Sequence, residues 1–324
     1  MLKKIIVTSI LSMLMCSASF ASTADVSASA ITGVSFKKGQ EGGTASLDQV
    51  RVNLTSEINE FSELKVSTKI SDDTQGEPAR LSLSEAYVTF EDLLANTTPL
   101  PNLVPLKSKF GRQYLDFGSS NVYKTQATFA SRSLAATNFL GSSASPLKGD
   151  GLRAIVGHSA LDGLGQVSFS VLEAQANSSQ VGYDGRFAAF AYDNSVAGID
   201  FGVDYASDFD SDDATTLMGL NASMDYETPM GNSLALSAEL FSADYSSNTQ
   251  TGSSVSAVYG LNESVDLGVR YSMIDEHTTI TEENALSLLV TRQLGDSAKS
   301  KFEYTKLNEA DTDTFTASIY VGIH

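Results

Sequence analysis

Tryptophan is absent from this sequence, and cysteine occurs once, as Cys16. One thiol cannot make a disulfide framework, and the three histidines, His158, His277 and His324, stand at no metal-ligand spacing, so no metal site is expected. Basic residues are scarce: 21 Lys and Arg face 39 Asp and Glu, a formal net charge of −18. Nucleic-acid affinity comes largely from Lys and Arg neutralising phosphates, so no nucleic-acid partner is expected of such a polyanion. Long apolar runs are missing beyond the first 21 residues, and with them any helix of the ~20 apolar residues needed to span a bilayer. If the chain enters a membrane, it does so as a closed barrel, the other architecture that satisfies every backbone group in lipid. Catalytic signatures are missing too. There is no GxSxG or HExxH sequence and no nucleophile with an evident base, so neither enzyme activity nor a cofactor is expected.

What is present begins with an export signal. Lys3 and Lys4, an apolar run over 5–15 and Ser19-Phe20-Ala21 supply the basic region, the apolar core and a small-x-small cleavage site. Residues 1–21 are therefore read as a signal peptide and 22–324 as the mature domain. Cleavage would remove two lysines and the thiol, taking the formal charge from −18 to −20.

The mature chain advances in runs of roughly ten residues whose polarity alternates with period two, separated by a few turn residues. In one such run Val50, Val52, Leu54 and Ile58 alternate with Arg51, Asn53, Thr55 and Glu57. About sixteen runs are counted: 26–37, 50–58, 63–70, 81–91, 110–120, 151–159, 164–175, 182–193, 198–209, 215–227, 233–245, 252–260, 264–276, 284–294, 298–307 and 314–323. In the last of them Phe315, Ala317, Ile319, Val321 and Ile323 alternate almost to the C-terminus. The even number, the signal and this terminal strand together predict an all-β fold, a transmembrane antiparallel β-barrel in the bacterial outer membrane.

One stretch breaks the rhythm. After FGRQYLDFGSS at 110–120 the chain stays polar as far as Gly149, which makes it strand five plus the third outer connection. That connection is expected to fold inward, with a short helix over 126–137. An Arg held at the bilayer midplane would cost ~2–4 kcal/mol, so Arg112, Tyr114 and Asp116 are expected to face the lumen, leaving Leu115 and Phe117 to lipid. Lys107 and Lys109 then have the wrong parity and require snorkelling or a bulge at Gly111. Arg132 is the expected constriction charge on the loop. The other expected lumen residues are Arg51, Lys65, Arg153, Arg186, Asp200, Asp204, Glu239 and Arg270, joined by Lys69, Asp266, Lys299, Lys301 and Glu303. Because the outer connections are acidic, with Asp208, Asp210, Asp212 and Asp213 in one of them, the entrance is expected to favour cations and cationic or neutral chelates.

Five segments carry a resemblance: LSEAYVTFEDL at 83–93, FGRQYLDFG at 110–118, FAAFAYDN at 187–194, GIDFGVDYASDFDSDD at 198–213 and LSAELFSA at 236–243. They resemble successive landmarks of the LbtU-family siderophore porins, over roughly residues 50–243. The resemblance implies passive uptake of a ferric siderophore through an outer-membrane barrel. It leaves lipid and lipopolysaccharide as the surrounding partners and allows a homotrimer. The alternative is a surface structural or adhesive barrel without an open channel, to which the acidic outer loops also lend themselves.

Overall fold

The computed structural model describes residues 24–38, 43–71, 80–91, 106–115, 117, 129, 133–140, 148–156, 165–174, 186–208, 216–229, 231–245, 248–276, 283–308 and 312–323. The expected signal peptide, Asp116, Arg132 and the three histidines lie outside these residues.

Alternation becomes structure in sixteen strands: β1 Ala24–Lys37, β2 Thr44–Asn59, β3 Ser62–Ser71, β4 Arg80–Phe90, β5 Leu106–Tyr114, β6 Lys148–Val156, β7 Gln166–Ala174, β8 Arg186–Val196, β9 Ile199–Asp208, β10 Thr216–Glu227, β11 Ser233–Tyr245, β12 Asn248–Asn262, β13 Val265–Glu276, β14 Glu283–Gly295, β15 Ala298–Leu307 and β16 Thr312–Ile323. Each pairs antiparallel with its sequence neighbours. The ring closes where β1 meets β16, from Ala28 opposite Ile323 to Lys37 opposite Thr314. Closure leaves no unpaired sheet edge, which is the condition for placing a sheet in lipid.

Period-two alternation sorts the side chains. On β13, Leu267, Val269, Tyr271 and Met273 are exposed while Arg270 and Ser272 are buried; on β14, Leu286, Leu288 and Val290 are exposed while Ala285, Ser287 and Leu289 are buried. Large apolar side chains therefore stand outside and polar ones inside, the reverse of a water-soluble protein and the arrangement a bilayer requires.

The start of β1 and the end of β16 lie at one end of the barrel, where the described connections are short. Asn59 and Asn262 accept hydrogen bonds on their side-chain oxygens from the Phe61 and Ser264 amides, both at 2.9 Å, forming Asx turns. Between β8 and β9 the turn is only two residues, Ala197 (φ 54°) and Gly198 (φ 79°), the left-handed pair that matches strand twist.

Candidate pore and its inward loop

The lumen is partly filled from within. A short helix, α1 Leu134–Leu140, belongs to the connection between β5 and β6 and packs on β11, β12 and β13. Its start follows from sequence: the Ser133 hydroxyl accepts the Ala136 amide at 3.0 Å and the Ser133 carbonyl accepts the Thr137 amide at 2.9 Å, an N-cap leading into the helix formers Leu134, Ala135 and Ala136. Helix was expected over 126–137; it is found over 134–140, and of residues 126–132 only Phe129 is described.

Three anchors hold this connection against the inward wall. The Ala135 amide donates to the Ser272 hydroxyl of β13 at 3.0 Å. Phe139 stacks on Phe241 of β11 with ring centroids 5.5 Å apart, and Phe117 stacks on the same ring at 6.5 Å. Phe129 lies 4.3 Å beneath the Arg270 guanidinium. Glycines make room: a Cβ on Gly252 would stand 2.5 Å from the Phe139 ring, and one on Gly219 2.8 Å from Phe117. Around these rings Leu115, Ala136, Leu172, Phe187 and Leu217 complete a buried apolar cluster on the inner wall, where a water-filled channel would otherwise run.

The facing of β5 corrects the sequence expectation. Phe110 is 43% exposed, whereas Gln113, Leu115 and Phe117 are almost fully buried inside the barrel. Arg112 shares the outward parity of Phe110, opposite Ala86 and Asp150. Its cost on that face is offset by a two-pronged ion pair, Nε and Nη2 each 2.8 Å from an Asp150 carboxylate oxygen. The register on both sides of β5 runs through Gly111 without a shift, so no bulge is needed. Lys109 faces inward and Lys107 pairs with Glu91. Tyr114 has outward parity as well, but the β4–β5 ladder has ended at Ala86–Arg112, and its phenol reaches through the gap to Arg51. Lys148 occupies the same gap, donating to the Leu83 carbonyl at 3.3 Å. Arg186 is the other correction: it is exposed, with the outward parity of Phe190, opposite Glu173.

The remaining described candidates lie on the inward face of the wall. Arg51 donates to Ser67 at 2.9 Å, Ser67 to Asn53 at 2.7 Å, and Asn53 to Ser27 at 3.2 Å, a chain of bonds that fixes the guanidinium on the wall. Lys65 pairs with Glu85 at 3.3 Å. Arg153 bonds Ser170 at 3.3 Å and also the Tyr114 carbonyl. Asp204 accepts from Asn221 at 3.2 Å. Arg270 pairs with Glu303 at 3.0 Å and bonds Ser287 at 3.2 Å. Glu239 is buried on the inner face of β11, and Asp200 stands at the short-turn mouth with the parity of Asp204. Sequence reading missed the two tyrosines between lysines: Tyr87 lies between Lys65 and Lys109, and Tyr320 between Lys299 and Lys301. Only cross-strand register brings those groups together.

No family model matches the chain, and no curated protein matches it in sequence. Solved structures do resemble it. It is similar to OmpF of Salmonella typhi in complex with daunomycin (TM-score 0.65, 12% identity, 93% of this chain and 97% of that one). It is also similar to OprB of Pseudomonas putida (0.65, 12%, 93% and 94%) and to an anion-selective porin from Comamonas acidovorans (0.62, 9%, 93% and 99%). At such identities the likeness speaks for architecture alone, and the architecture is plain: this chain is a 16-stranded antiparallel β-barrel of the kind these porins share.

Proposed function

We propose that the protein is an outer-membrane porin through which small solutes diffuse passively, and that ferric siderophores are among those solutes. The carrying observation is the polar, charge-lined interior of a closed barrel, with the described residues of its inward loop pinned to one side of the wall. A cavity of about 370 Å³ opens inside the short-turn end against Ser27, Ser29, Asn53, Lys299 and Tyr320. The siderophore reading rests on the sequence landmarks of the LbtU-family porins. A homotrimer is the proposed assembly, since OmpT of Vibrio cholerae, of similar fold, has been solved in a trimer form.

Liposome swelling tests the pore: vesicles containing the protein should take up small sugars and amino acids, faster for smaller solutes. Vesicles that do not swell would favour the structural or adhesive barrel. Growth of a deletion strain on chelated iron tests the solute, and unimpaired growth would remove the siderophore assignment while leaving the pore.

A further inference from the structure

The charges inside the barrel are segregated. On the inward faces of β2 to β6, the described charged side chains between the mouths are Arg51, Lys65, Lys69, Lys109 and Arg153, against one carboxylate, Glu85. The stripe continues on β15 with Lys299 and Lys301, whose neighbour Glu303 is paired to Arg270. Across the lumen, β9, β11 and β13 carry Asp204, Asp208, Glu239 and Asp266, with Arg270 the one cation among the described inward side chains of those strands.

The described residues of the loop lie against one of the two halves. Its anchors, Phe117 on Phe241, Phe129 on Arg270 and α1 on Ser272, all lie on the acidic half. Asp204, Asp208 and Glu239 are correspondingly buried. The basic half carries none of these described anchors; Arg51, Lys69, Arg153 and Lys301 are buried in its wall, while Lys65, Lys109 and Lys299 are half-buried and reach farther toward the lumen. Cation–π contacts of 5.6 and 5.1 Å on Tyr87, and of 5.8 and 4.5 Å on Tyr320, hold the lysines in place.

We infer that the constriction selects anions, so that the solutes favoured are small carboxylate- or phosphate-bearing molecules and, among iron chelates, those of net negative charge. Carboxylates do ring the short-turn mouth, with Glu57 and Glu63 exposed there, and the outer connections are acidic. The fields of exposed charges such as Glu57 and Glu63 decay over a Debye length of ~8 Å at physiological salt. At the constriction the charges act at close range within low-dielectric walls, where field focusing is strongest.

The inference rests on the porin reading and is tested separately from it. Purified protein in a planar bilayer under a KCl gradient should give a reversal potential of the sign that favours chloride; potassium and chloride have nearly equal mobilities, so the sign reads the wall. Lys65→Glu together with Lys109→Glu, checked for folding by heat-modifiable migration, should shift the permeability ratio several-fold toward potassium. A cation-selective wild type, or a reversal potential the double variant leaves unmoved, overturns the inference with the porin reading intact. Absence of any conductance overturns both.

Discussion

At Arg270 three elements meet: β13 supplies the guanidinium, β15 the Glu303 carboxylate and the inward loop the Phe129 ring. Glu303 is only 2% exposed, so Arg270→Leu would strand a buried charge at a cost of roughly 3–5 kcal/mol. Adding Glu303→Gln should recover a large part of that loss, because the stranded charge, rather than the lost contact, dominates it. Urea unfolding in detergent micelles measures both, and additive losses would contradict the pairing. Ala197 offers the opposite test. A non-glycine residue at φ 54° carries a cost of ~1–2 kcal/mol that Asn or Gly lowers; Ala197→Gly should raise stability by about 1 kcal/mol, and Gly198→Ala in the same turn should lower it. Arg112 shows what a single residue conceals. Judged alone, an arginine in lipid is too costly, so it was expected in the lumen; judged with Asp150, 38 positions away and adjacent only once β5 and β6 pair, it is tolerable outside. The cost of a charge belongs to the pair, and the pair exists only in the register.

Elements were more legible than residues. Period-two alternation located all sixteen strands, because an outward side chain must be apolar and an inward one is free to be polar. Ends were less legible: β2 begins at Thr44 and β12 runs Asn248–Asn262, where serine and threonine fit either face and leave no alternation to read. Of the helix expected over 126–137 the described part is α1 Leu134–Leu140, whose extension past 137 goes with tertiary anchors at Ser272 and Phe241. Those anchors can be tested directly. Gly252→Val places a side chain where the Phe139 ring now stands; it should push the loop from the wall and alter single-channel conductance, while a similar change at exposed Val255 on the same strand should not.

For the whole molecule, the arrangement is a barrel turned inside out, with an apolar exterior and an interior whose described charges divide between an acidic half that holds the loop's described anchors and a basic half that holds none of them. The polarity of the exterior was readable from sequence on strands with clear alternation, such as β9 and β13, and was misread on β5, where Leu115 and Phe117 turn inward. The division of the interior was not readable, because it depends on which strands stand opposite one another and on where the loop lies. The central claim is that a water-filled path remains beside the loop, and single-channel recording of the purified wild-type protein in a planar bilayer tests it most directly. The account predicts discrete conductance steps that scale with the conductivity of the bathing salt; a silent bilayer containing folded, heat-modifiable protein would contradict it.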